Sequence, residues 1–97
     1  MFVQMIECAT DDAEGLVDLV EEWSADALGA GTALRGELGR DSNDPSRFVL
    51  VVHFESAEAA QENSDRPETA GYAERFGALC TDGPTFRDLT IVRSWPA

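Results

Sequence analysis

The chain has no lysine: its seven basic residues are all arginine, set against nineteen acidic residues, for a formal net charge of -12. A surface this negative repels phosphate backbones and anionic lipid, which argues against nucleic acid or a membrane as partner. It has one histidine, His53, and two cysteines, Cys8 and Cys80, far apart and outside any C-x-x-C pair. That set cannot assemble a typical zinc site, and a lone histidine with no Gly-x-Ser-x-Gly elbow leaves a serine triad unsupported. Asp41-Ser-Asn43-Asp44-Pro45 opens like a calcium loop but puts Pro45 where a ligand belongs and has no closing glutamate. Gly29-Ala-Gly31 does not follow a strong strand, so it is not a dinucleotide loop. There is no long apolar run, signal-peptide pattern, repeat or Pro-rich linker. The expectation is one cytoplasmic domain over residues 1–97 with reduced, buried thiols, no metal and no cofactor.

What is present is periodicity. Arg47 to Phe54 is β-branched and aromatic, free of Gly and Pro, and bounded by turn residues, so it predicts a strand. Its two phases are Phe48, Leu50, Val52, Phe54 and Arg47, Val49, Val51, His53. Both are mainly apolar, so both sides of this strand are expected to be covered. A chain of this length covers one side of a sheet with its own helices, and a second copy is the simplest cover for the other.

Phe2 to Cys8 predicts a first strand. Thr10 or Asp11 then caps a helix, with Asp11 and Glu14 at capping-box spacing. Leu16, Val20, Trp23 and Ala27 form its apolar stripe, and Gly29 marks its end. Thr32 to Gly39 permits a strand, with Gly36 suggesting a bulge or a close backbone approach. The turn formers of Arg40–Ser46 join it to the central strand as an antiparallel hairpin. Ser56 caps a helix over Ala57 to Asn63, which Asp65-Arg66-Pro67 interrupts before Tyr72, Phe76, Leu79 and Cys80 resume the stripe. Thr81-Asp82-Gly83-Pro84 predicts a turn, and Phe86 to Trp95 a last strand. The order β-α-β-β-α-β predicts an α+β, ferredoxin-like fold: a four-stranded antiparallel sheet with both helices on one face.

The stretch after the central strand runs Glu55-Ser-Ala-Glu-Ala-Ala-Gln-Glu-Asn63-Ser-Asp-Arg66-Pro67-Glu-Thr-Ala-Gly-Tyr72-Ala-Glu-Arg-Phe76. A strand, a Ser-x-Glu-Ala helix start, a polar residue two turns on, a proline break and an aromatic resemble the antibiotic biosynthesis monooxygenase-like family. The resemblance implies two sheets face to face as a dimeric α+β barrel, a homodimer. Some such proteins oxidise aromatic polyketides with dioxygen and no metal or cofactor; others degrade haem or quinones. In the cofactor-free oxygenases an Asn, a Trp and a Tyr line the pocket and bind an ionised phenol. Asn63 and Tyr72 stand in the corresponding region here, with Arg66 and Pro67 where a Trp would be sought. The haem-degrading relatives carry a histidine on the second helix, which this chain lacks.

His53 is the candidate base: in a mostly apolar cavity an imidazole can take a phenolic proton near neutral pH. Against this stands a strand-end histidine bonded to a neighbouring strand or to solvent. Asn63 and Tyr72 would hold a substrate oxyanion, or else cap a broken helix and fill the core. Arg47, Arg87 or Arg93 would neutralise an anionic substrate, or merely balance an acidic surface. Trp23 is expected in the helix-to-sheet core and Trp95 as a C-terminal anchor, against a partner subunit. Two functions follow: a cofactor-independent monooxygenase acting on a small aromatic phenol or quinol, or a non-enzymatic ligand-binding or structural homodimer.

Overall fold

The computed structural model describes residues 1–96. Strand β1 (Phe2–Ala9) leads into helix α1 (Ala13–Gly29), then strands β2 (Arg35–Arg40) and β3 (Arg47–Phe54). Helices α2 (Ala57–Ser64) and α3 (Pro67–Leu79) follow, and strand β4 (Asp82–Thr90) closes the sheet. The sheet order is β2-β3-β1-β4, every neighbouring pair antiparallel.

Register separates the two phases of β3. Phe48, Leu50, Val52 and Phe54 lie opposite Cys8, Ile6, Gln4 and Phe2. Ile6, Cys8, Phe48 and Leu50 pack with Leu16, Leu19, Val20 and Trp23 of α1 and Phe76 of α3, so this is the helix face. Each such side chain contributes about 1.5–3 kcal/mol on leaving water, and this cluster is the main source of stability. The other phase, Val49, Val51 and His53, lies opposite Glu7, Met5 and Val3 on a face that carries no helix.

The fold differs from the expected ferredoxin-like βαββαβ domain pairing as a dimeric α+β barrel. The sheet is open, not closed into a barrel, and three helices flank it. Closure would require the edge strands to meet, whereas β2 and β4 lie on opposite sides of the β3–β1 pair and four strands are too few to curl round. The third helix arises at Arg66, whose backbone is extended (φ -68°, ψ 135°) because Pro67 disfavours the helical region for the residue before it.

Local signals were resolved in detail by competing contacts. Asp12, not Thr10 or Asp11, caps α1, its carboxylate accepting from the Gly15 N–H at 3.0 Å. Thr10 is buried and spent elsewhere: its hydroxyl donates to the Leu79 carbonyl at 2.6 Å and accepts from the Asp12 N–H. α1 ends at Gly29 with a right-handed cap residue, Ala30. Asp82 already belongs to β4, so the expected turn at residues 81–84 is largely strand. Gly83 sits there at φ +89°, where a Cβ would meet the Glu7 carbonyl oxygen at 2.8 Å. Among the described residues no helix is long and apolar enough to cross a membrane.

Candidate functional site

Between α1 and the helix face of the sheet lies a narrow slot of about 30 Å³, partly open to solvent. Leu50, Val52 and Phe54 of β3 form its floor, and Trp23 and Ala27 of α1 its roof. The stripe that buries α1 therefore also builds the slot, because Trp23 and Ala27 lie one turn apart. Trp23 is 9% exposed. Its ring stacks on Tyr72 at 6.1 Å between centroids and meets Phe76 edge-on at 5.8 Å. The indole is thus held from behind by α3 while it faces the slot.

Asn63 closes one end. It is 6% exposed, and its side-chain oxygen is buried with no hydrogen-bond partner. Its backbone is fixed by the helix break: the Thr69 hydroxyl donates to its carbonyl at 2.6 Å, and so does the Arg66 N–H at 3.3 Å. Gly31 lets the amide sit where it does. A Cβ there would collide with the Asn63 side-chain oxygen and come within 2.8 Å of both the Ala27 carbonyl and the Arg66 guanidinium. A buried acceptor left unpaired costs about 1–3 kcal/mol, so it is a position to which a ligand donor would be drawn.

Arg66 locks this end from outside. Its guanidinium donates two hydrogen bonds to the Asp26 carboxylate, at 2.9 and 3.2 Å, joining α1 to the start of α3. Asp26, with Glu68 nearby, raises the Arg66 pKa, so its charge is permanent. The Tyr72 phenol is also pushed up, by desolvation first and then by the Glu22 and Asp26 carboxylates, so at neutral pH it remains a donor.

The candidates of the sequence reading divide between two sheet faces. Asn63 lines the slot, and Tyr72 stands behind Trp23 without lining it. His53 lies on the opposite face, its Nε2 3.0 Å from the Glu37 carboxylate, with its side chain 21% exposed. Glu37 is held below the usual carboxylate range, chiefly by its bond to Arg35 and then by His53. Arg47 lies on that face too, opposite Ala9 where His53 is opposite Val3, roughly 20 Å further along the strand. It pairs with Asp82 at 3.1 Å. Arg87, opposite Met5, shares this face.

Gln4, Ser24, Leu28, Arg35 and Gly36 also line the slot and were missed as site residues. Gln4 carried a signal, since it shares a phase with Phe2, Ile6 and Cys8 and is the one polar residue among them. Trp23 was read as core, and it is both core and lining. An indole does line the slot, but from α1 rather than from the region of Arg66. Among the described residues no three His, Cys, Asp or Glu side chains gather as a metal cluster would require.

No protein-family model and no curated protein matches the sequence. Solved structures match the backbone closely. SnoaB, a cofactor-independent oxygenase from Streptomyces nogalater, superposes with a TM-score of 0.85 at 14% identity, covering 99% of this chain and 97% of that one. Rv0793 from Mycobacterium tuberculosis gives 0.83 at 16% identity over 97% of each chain. A putative antibiotic biosynthesis monooxygenase from Nitrosomonas europaea gives 0.81 at 13% identity, over 96% of this chain and all of that one. The likeness read from residues 48–76 therefore extends to nearly the whole backbone, and the chain has the fold of the antibiotic biosynthesis monooxygenase-like structures.

Proposed function

We propose that the chain is a cofactor-independent monooxygenase-like protein that takes a small aromatic phenol or quinol into the slot under Trp23. The observation that carries this is the unpartnered side-chain oxygen of Asn63, buried at the end of a mainly apolar slot. A phenolic O–H would satisfy that acceptor, and the amide N–H would hold the phenolate once the proton has left. The shared fold with SnoaB, described as a cofactor-independent oxygenase, supports the reading.

In the proposed reaction the ionised phenol is the reductant. Its charge spreads to the ring carbon opposite the oxygen, an electron passes to dioxygen, and the two radicals join as a ring hydroperoxide. A proton from solvent completes the hydroperoxide, and loss of water, which takes the hydrogen that this ring carbon carried, leaves a carbonyl there. One atom of dioxygen enters the quinone and the other leaves as water, so no further reductant is needed. The apolar walls on the Trp23 side limit the water that reaches the radical pair.

Arg35 is the only ionisable residue among the twelve that line the slot. A phenolic proton there leaves to solvent, while His53 would serve as base only for a ligand on the opposite face. This favours a second reading, a protein that binds an aromatic ligand without oxidising it. Dioxygen uptake with a panel of phenols and quinols separates the two. Under the oxygenase reading one dioxygen is consumed per quinone formed, and Asn63→Ala lowers turnover by about 100-fold or more. Binding without uptake leaves the second reading. The face bearing Val3, Met5, Val49, Val51 and Leu89 is our proposed contact with a second copy, each sheet staying open at its edges. Native mass spectrometry tests it, and a monomer at micromolar concentration would refute it.

A further inference from the structure

A second recess runs along the outer side of α1, lined by Val17, Val20 and Glu21 of that helix with Leu38, Arg40 and Phe48 of the sheet. It shares Ser24, Gly36 and Leu50 with the slot, so the two meet where Ser24 of α1 faces the β2 edge. Gly36 lies opposite Val52 and therefore faces the helices. Nothing in the backbone demands glycine there: Gly83 is the only glycine with positive φ among the described residues. A Cβ on Gly36 would meet one atom, the Val51 carbonyl oxygen, at 3.4 Å. Glycine weakens a strand, so what its absent side chain provides at this position is space.

We propose that Gly36 and Ser24 are specificity-determining residues, forming an aperture through which a ligand longer than one ring extends from the slot into the outer recess. The inference rests on the reading of the slot as a phenol site and names the shape of the molecule it takes. The hydroxylated ring lies under Trp23 at Asn63, and further fused rings pass between Ser24 and Gly36 toward Val20, Leu38 and Phe48. The outer part is uncharged. The rim carries Glu21 and Glu37 beside Arg40, whose guanidinium already lies 5.0 Å over the Phe48 ring, and the chain as a whole repels anions.

The test is equilibrium dialysis under argon, so that binding is read without oxidation, using phenol, 2-naphthol and 2-hydroxyanthracene. Affinity should rise by about ten-fold or more from one ring to three, as apolar area is buried. Gly36→Val and, from the opposite wall, Ser24→Leu should each remove that gain, so that the three-ring phenol binds no more tightly than phenol does to the same variant. Gly39→Val is the control. It lies in the same strand opposite Val49, on the other face, where a Cβ would meet only a carbonyl oxygen at 3.9 Å, and it should leave the three-ring preference unchanged. If both aperture variants keep the three-ring preference, the aperture is refuted while the slot stands. If the parent protein retains none of the three phenols, slot and aperture fall together. If it binds them in this order yet consumes no dioxygen, the oxygenase reading fails and the aperture stands.

Discussion

Replacing Asn63 by alanine should make the protein more stable while emptying its site of chemistry. The side-chain oxygen is buried without a partner, so the folded state carries a desolvation cost of about 1–3 kcal/mol that the unfolded chain, bonded to water, does not. Alanine is also the better helix former by up to about 0.7 kcal/mol, and Asn63 lies inside α2. Against these stands the loss of packing around a small amide, about 1 kcal/mol. The net is a gain of about 1–2 kcal/mol, or a rise of about 4–16 °C in the thermal midpoint for a domain of this size. Urea unfolding followed by tryptophan fluorescence measures it, and calorimetry gives the midpoint independently. A structural asparagine would behave oppositely: a loss of 1 kcal/mol or more would mean that the amide is satisfied in the native protein, and the site reading would lose its main support. A gain in stability with loss of phenol binding is the pattern of a residue kept for function.

Three further outcomes follow from the geometry. Gly31→Ala should destabilise by about 1–3 kcal/mol and disturb the slot, because the new methyl meets the Ala27 carbonyl as well as the Asn63 amide; an unchanged urea midpoint would contradict the close approach. Glu37 titrates below its ordinary 4.5 in the folded chain, so its contribution is fully present above about pH 4.5 and is lost as pH falls through the depressed value; Arg35→Ala should move the titration back up in a carbon-detected NMR experiment. Burial pushes the Cys8 thiol up to about 12, with Cys80 also raised, chiefly by burial. The thiol forms are therefore favoured by folding below pH 9, and that advantage disappears as pH rises toward 12, so Cys8 should resist alkylation at pH 8 until urea exposes it, and prompt labelling would count against the buried thiol.

How much of this was legible in the sequence depends on which physics each element obeys. β3 spans Arg47–Phe54, where local composition placed it, because strand propensity and turn residues at both ends agree. The helix break at Asp65-Arg66-Pro67 was equally local, and with it the position of Asn63. Which face of β3 carries a cavity was not legible. Both phases are apolar, and period-2 alternation cannot say which of two apolar faces the helices take. The barrel was inferred from that same ambiguity, and the open four-stranded sheet corrects it. The two roles of Trp23 were hidden for a related reason, since a residue at the border of a core and a slot has the spacing of a core residue. Gly36 looked like a mark of close backbone approach. Only the register, which turns it toward the helices, shows that it borders an opening.

The open sheet has a bearing on how the chain behaves in company. An unpaired strand edge is a template on which a stranger's backbone can grow, and repeated addition ends in fibrils. β2 is such an edge, six residues long, and its sequence Arg-Gly-Glu-Leu-Gly-Arg is poorly suited to copying itself: two glycines loosen it and three charges interrupt it. The side chain missing at position 36 therefore answers two demands at once, room for a guest inside and reluctance to polymerise outside. A β-branched residue there would close the first and invite the second.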